Sequence, residues 1–300
     1  VLARVPRLVA EARSQPAVLP LLVAGRFEAA RRAMRWAANR RAGSDEAAPA
    51  PASAVLREPR FDTTLAALRR DGIAHGLRLR PDLVTAIRAF AESGREGHGG
   101  ADWSIWFRPE DRDAAEARHG IALPVCHFDA PDRDCPEAAA VARDPWLRAL
   151  AIAYLGAAAR LIDVRLWWSF PAAAARREEL GVAGMDGFHY DLGDWGQMKA
   201  FFHLTDVGAG NGPHRFVRGS HRGRRLSDQL SPFSARRESQ IVGAHGPDAI
   251  IEMTGPAGSG FVEDPFGYHT GTRVRDGARL MLEVSYGVTN LSQRPHLRGS

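Results

Sequence analysis

The sequence predicts an α+β protein, and three observations predict it. Apolar residues recur at helical spacing through the first half of the chain. From Leu161-Ile162-Asp163-Val164-Arg165-Leu166-Trp167-Trp168-Ser169-Phe170 the texture becomes β-branched and aromatic. Onward to Val288 it reads as strands joined by Gly- and Pro-rich turns, with little helical period. Helices followed by strands, rather than alternating with them, argue for segregated layers. The 300 residues, 45% hydrophobic and 25% charged, can bury a substantial core in one large or two modest domains.

Residues 1–41 read as helical. Leu2, Val5, Leu8 and Val9 sit at helical spacing, and Phe27 to Asn39 carries Met34 and Trp36 among arginines. This basic extension either packs on the main body or presents its charged face to a partner or an acidic lipid surface. Residues 42–53 are a linker by composition, which sets the first boundary at 53/54. Phe61-Asp62-Thr63-Thr64 opens a helix to Arg70, broken at Asp71-Gly72. Pro81 starts another through Ala91, with Leu83, Ile87 and Phe90 on one face. Trp103, Trp106 and Phe107 suggest a short aromatic strand, and 124–136 looks irregular. Two helices follow, split at Asp144-Pro145 and ended at Gly156.

The net charge of +5 comes almost wholly from arginine, with one lysine, Lys199. The bias fits either an acidic partner or coding composition, since alanine is also abundant. No nucleic-acid-binding signature accompanies it. No apolar run approaches the ~20 residues that span a bilayer. Cys126 and Cys135 match neither a disulfide framework nor a zinc pattern, so a reducing compartment, the cytoplasm, is expected.

The chemistry centres on Gly187-Phe188-His189-Tyr190-Asp191. On a strand, residues i and i+2 share a face, so His189 and Asp191 point together with Tyr190 opposite. An imidazole beside a carboxylate offers two ligands to a divalent metal. A further imidazole completes a two-His, one-carboxylate set that leaves positions open and suits Fe(II). His-x-Asp alone is a weak signal, and His127-Phe128-Asp129 is a second match. Only the first lies among strands and is followed by Leu204-Thr205-Asp206-Val207, Asn211-Gly212-Pro213, Gly219-Ser220-His221, His269-Thr270-Gly271 and Arg279.

Together these motifs resemble the phytanoyl-CoA dioxygenase family, Fe(II)- and 2-oxoglutarate-dependent oxygenases on a double-stranded β-helix, or jelly-roll. The resemblance covers roughly residues 62–288. It implies helices over 54–160 that buttress a jelly-roll core over 161–290, and leaves 1–53 outside. It implies His189, Asp191 and His269 as iron ligands. Arg279 would pair its fork with the distal carboxylate of 2-oxoglutarate. The Trp167-Trp168-Ser169 and Phe201/His203 strands would line the pocket, with Trp168 and Phe201 at the co-substrate. In relatives that chlorinate carbon a small residue replaces the carboxylate ligand, so Asp191 argues for hydroxylase-type chemistry. O2 would be the oxidant.

Other roles stay open at this level. Alternation places Glu283 and Ser285 on the face of Arg279, and Ser285 is a candidate co-substrate contact. His203 is either a pocket or a core histidine, and Tyr190 and Trp195 either wall the substrate mouth or pack. Arg215 either clamps an anionic substrate or is solvated. The expected substrate is a small molecule, in secondary-metabolite or carbohydrate tailoring. Oxidative cyclisation, desaturation and epimerisation are alternatives to hydroxylation. A non-catalytic jelly-roll binding module is the rival from another class.

Overall fold

A computed structural model describes residues 18–43, 51–100, 103–171, 187–231, 234–289 and 291. The expected helix around Leu2–Val9 and much of the expected linker lie outside the described residues.

Two antiparallel sheets carry the fold. The large one has eight strands in the order β1-β9-β6-β11-β5-β4-β2-β3, and the small one has three, β10-β7-β8. In chain order these are β1 Ile73–Arg78, β2 Gly97–Gly99, β3 Ile105–Phe107, β4 Val125–Phe128, β5 Arg160–Ser169 and β6 Gln197–His203. They continue with β7 His214–Val217, β8 Ile250–Met253, β9 Ser259–Glu263, β10 His269–Gly271 and β11 Arg279–Gly287. Mixed helices and antiparallel sheet accord with the predicted class.

The expectation of a first half that is helical apart from one short aromatic strand is corrected in part: that strand is present as β3, but β1, β2 and β4 are additional. β1 to β4 all precede residue 129 and join the large sheet. β1, β2 and β4 are short and glycine-containing or irregular in pattern, so neither period registers in sequence. His127 in particular sits on β4, paired with Trp167, where an irregular stretch was expected. Conversely, helices Leu226–Leu230 and Glu238–His245 interrupt the β half.

The helices Pro136–Ala142 and Pro145–Leu155 separate at Asp144 as the sequence indicates. Asp144 accepts from the backbone N–H of Trp146 and Leu147, both at 3.1 Å. Proline at the next position has no N–H to lose there. The other Asp144 oxygen accepts from Ser53 Oγ at 2.9 Å and Ala54 N at 3.2 Å, tying the incoming chain to this helix. Leu147, Leu150 and Ala151 then pack on Leu166, Trp168, Leu280, Leu282, Val284 and Tyr286, the helix-side face of β5 and β11.

Helix Glu28–Ala42 docks on the body rather than standing apart. Arg35 donates to the carbonyls of Tyr154 and Leu155, and Asn39 donates to Leu155 O and accepts from Ala158 N. The Arg31 and Arg224 guanidiniums lie 4.1 and 3.8 Å from the Phe266 ring. Gly72 ends helix Phe61–Asp71 with φ 77°, and a Cβ there would meet His221 Nδ1 at 2.5 Å. Only glycine meets both demands. No helix among the described residues is long and apolar enough to cross a membrane.

Candidate metal centre

Backbone pairing assembles the site. His189 and His269 form an isolated antiparallel bridge, with N–H to O distances of 2.9 and 2.8 Å. Two residues on, Asp191 N donates to Pro265 O at 2.8 Å. The bridge makes the two imidazoles cross-strand neighbours with centroids 4.6 Å apart. One donor atom from each of His189, Asp191 and His269 lies within 4.8 Å of the others. Asp191 Oδ1 stands 3.8 Å from the Nε2 of both histidines. His127-Phe128-Asp129 forms no such group among the described residues.

The charge states suit a cation. Burial depresses His269 to about 4 and lowers His189. Burial alone would raise the Asp191 carboxyl, but Lys199, His269 and His189 outweigh it and hold it well below the usual carboxylate range. Two neutral imidazoles and a carboxylate therefore face one another at neutral pH, the protonation state that metal binding requires. His269 Nδ1 lies 2.9 Å from Gly267 O. A carbonyl only accepts, so that nitrogen carries the proton and Nε2 keeps its lone pair toward the site.

The wider setting was largely missed in the sequence. Lys199 Nζ donates to Asp191 Oδ2 at 2.9 Å and lies 3.4 Å from Glu283 Oε1. It occupies one carboxylate oxygen and leaves Oδ1 toward the histidines. Ser285 Oγ donates to Glu283 Oε1 at 2.7 Å. Glu263, fully buried, pairs with His214 Nε2 at 2.7 Å. Burial raises Glu263 to about 7 and lowers His214 to about 3, so the pair holds its proton on the carboxyl side below neutral pH. Lys199 was findable, being the single lysine on an inward-facing strand position; nothing local marks Glu263 or His214.

Arg279 is buried and donates to Gly212 O and, at 3.2 Å, to Ser169 Oγ. Its Nε has no hydrogen-bond partner and no carboxylate contacts it among the described residues. Burial pulls its pKa down to about 10. A buried cation without a counter-charge is costly and fits an anionic ligand.

Several expected contacts lie elsewhere. Trp168 belongs to the helix-side core, because adjacent strand residues point to opposite faces; Trp167 takes the inward position. Trp195 is in that same core. Tyr190 packs edge-on against Phe266 and Tyr268, with Arg224 over its ring at 3.9 Å. Ser285 is six residues from Arg279 along β11, roughly 20 Å at strand rise, beside Lys199 instead. Arg215 is held by Glu238 at 2.7 and 2.8 Å on the outer side of the small sheet, lining a 480 Å³ cavity with Phe188, Thr272 and Arg275. Phe201 does lie between the sheets, stacked on Phe261 and His214. His203 is buried with neither ring nitrogen partnered among the described residues, lining a 390 Å³ cavity with Phe261 and Met253.

No protein-family model and no curated protein sequence matches this chain. Solved structures do. The epimerase SnoN, in complex with Fe3+, alpha ketoglutarate and nogalamycin RO, aligns at TM-score 0.51 and 18% identity, over 75% of this chain and 82% of that one. EctD from S. alaskensis with 2-oxoglutarate and 5-hydroxyectoine aligns at 0.51 and 19%, over 83% and 81%. The carbocyclase SnoK from nogalamycin biosynthesis, described as non-heme and alpha ketoglutarate dependent, aligns at 0.50 and 18%, over 79% and 87%. The fold is that of non-haem iron, 2-oxoglutarate-dependent enzymes.

Proposed function

We propose that the chain is a non-haem Fe(II)- and 2-oxoglutarate-dependent oxygenase that hydroxylates a small molecule, of the phytanoyl-CoA dioxygenase type. The carrying observation is the coincidence of a two-His, one-carboxylate cluster with a buried arginine that has no counter-charge among the described residues, the first set by β10 of the small sheet and the second on β11 of the large one. The large and small sheets would be the two halves of a double-stranded β-helix. Residues 54–300 would be the oxygenase domain and 1–53 an extension docked on it, in a cytoplasmic protein.

His189, Asp191 and His269 would hold Fe(II), and Arg279 the distal carboxylate of 2-oxoglutarate. Bound iron would supply dioxygen activation coupled to decarboxylation of 2-oxoglutarate to succinate. The chain's own residues bind, orient and exclude water. Lys199 keeps Asp191 ionised and fixes which oxygen faces the imidazoles. Gly267 O fixes the His269 tautomer. Phe201, Phe216, Phe261 and Met281 keep the space between the sheets dry. Two of the aligned structures belong to nogalamycin biosynthesis, which supports a natural-product substrate.

Anaerobic addition of Fe(II) and 2-oxoglutarate should produce a weak visible charge-transfer band that disappears in Asp191→Ala. A wild-type protein that binds neither, or an Asp191→Ala variant with the same band, would overturn the proposal.

A further inference from the structure

We propose that His203 is a second donor to the distal carboxylate of the oxo-acid co-substrate, beside Arg279, and helps set the preference for a dicarboxylic oxo-acid. This rests on the oxygenase reading and adds a residue to its co-substrate site. Cross-strand register places His203 on β6 opposite Met281 on β11. Arg279 lies two residues before Met281, on the same inward face. His203 and Arg279 are therefore diagonal neighbours, roughly 7–8 Å apart at the backbone, with side chains directed into one space. A carboxylate bridges such a pair when each of its oxygens accepts from a different side chain.

Both side chains carry hydrogen-bonding capacity that the described residues leave unused. His203 is 2% exposed, and neither of its ring nitrogens has a partner. Arg279 is 5% exposed, and its Nε is likewise unpartnered. Buried polar atoms are nearly always hydrogen-bonded, so three orphans on neighbouring positions of one face point to a shared ligand. The imidazole is not wedged in place by its surroundings. It meets the Phe261 ring at 69° with centroids 6.1 Å apart, and it lines the 390 Å³ cavity. That cavity reaches solvent beside the exposed His75 and Arg78 of β1 and Glu252 of β8, the edge strands of the two sheets.

The chemistry of the pair selects the ligand. Burial first, and the Arg279 charge second, hold His203 neutral by lowering it to about 4. A neutral imidazole donates from one nitrogen and accepts at the other, whereas the Arg279 Nε–H only donates. A group that meets both donors must be an acceptor, and the uncompensated guanidinium favours an anion. The acidic side chains of this face do not supply it. Glu263 is engaged with His214, Glu283 with Ser285, and Asp191 with Lys199. A carboxylate brought in by the co-substrate satisfies the imidazole N–H and the guanidinium together.

Anaerobic titration of the Fe(II)-loaded full chain, followed by its charge-transfer band, tests this with two oxo-acids. One is 2-oxoglutarate; the other is 2-oxopentanoate, which has a methyl group in place of the distal carboxylate. His203→Leu and His203→Met remove both nitrogens and keep the bulk. Each should bind 2-oxoglutarate about tenfold more weakly, the loss of one hydrogen bond to a charged group, and should bind 2-oxopentanoate as the wild type does. His203→Gln, which keeps an N–H, should lose less than threefold. Iron titration without oxo-acid checks that the triad is intact in each variant. Affinity for 2-oxoglutarate within twofold of wild type in the apolar variants, equal weakening of both oxo-acids, or no recovery in His203→Gln would each overturn the proposal. Arg279→Ala in the same titration reads the underlying assignment. If it weakens 2-oxoglutarate while the His203 variants do not, this inference alone falls; if Arg279→Ala also binds as wild type, the co-substrate assignment falls with it.

Discussion

The two faces of β6 and β11 are equally buried and chemically opposite. Every residue of both strands is buried. Toward the helices stand Met198, Ala200, Phe202, Leu280, Leu282, Val284 and Tyr286, an unbroken apolar surface. Toward the small sheet stand Lys199, His203, Arg279, Glu283 and Ser285, with Phe201 and Met281 between them. Burial alone thus says nothing about function here. The apolar face stabilises the fold outright, at roughly 25 cal/mol per Å². The polar face carries desolvated charges that a purely structural sheet would replace with hydrocarbon. The contrast teaches that function is located by where the chain tolerates that cost.

Breaking the contrast from the polar side should have the largest effect on chemistry. Asp191→Ala should weaken Fe(II) binding by more than ~100-fold, beyond the range for residues that merely orient a ligand, and abolish substrate-dependent succinate formation. Iron titration and succinate assay check it; hydroxylation at the wild-type rate would remove Asp191 from the ligand set. Arg279→Ala comes next. It should raise the 2-oxoglutarate requirement by about 30-fold or more, from loss of a buried charged contact worth ~2–5 kcal/mol, and change iron affinity little. An unchanged 2-oxoglutarate dependence would assign the buried guanidinium a purely structural role.

From the apolar side the effects should invert. Leu282 sits between Met281 and Glu283, both of which face the small sheet, yet itself points to the helices, so Leu282→Ala probes the apolar side. It should cost about 2–5 kcal/mol of stability through the cavity it leaves. Iron affinity per folded molecule should stay as it was. A denaturation curve paired with iron titration separates the two, and a large loss of iron affinity would show that the faces are coupled.

These faces also mark how far the sequence could be read. The alternation of Arg279 to Tyr286 and the His189-x-Asp191 pair are visible in one dimension, because strand period and i, i+2 spacing are local, whereas His269 enters only through the family resemblance. The strand β5 is visible too, but not its phase: Trp167 and Trp168 are chemically alike, so which one faces inward depends on register with β11. Tyr190 and Trp195 stayed open between a pocket wall and packing for a similar reason, and both pack in hydrophobic clusters; a polar-tipped aromatic near a ligand looks the same in sequence whichever way it points. β1, β2 and β4 escaped because strands of three to six residues carry too few alternations to register, whereas β3 showed itself by its aromatic residues. The Glu263–His214 pair is invisible by nature, since 49 residues separate its members.

The smallest expected effect is a pH dependence of the metal-free protein, and its sign follows from the histidines of the polar face. His203 and His269 each titrate near 4 when folded, because burial disfavours the imidazolium, against an ordinary value of 6.5. Between those values the unfolded chain binds protons that the folded chain refuses. Their contribution to stability is therefore present above about pH 6.5 and is lost progressively as the pH falls toward 4. Glu263 acts in the opposite sense. Raised to about 7 by burial, it favours the folded state below about pH 4.5 and loses that contribution as the pH rises through 7. Stability measured by urea denaturation from pH 8 to pH 4 should fall on the acid side, since His203, His269 and His214, the last lowered to about 3 by burial, together oppose one glutamate. His203→Gln should flatten that fall without touching the triad, because an amide fills similar space and does not titrate there. An acid limb just as steep in His203→Gln would mean that the polar face is hydrated in solution, and that the two faces differ less in burial than their side chains differ in chemistry.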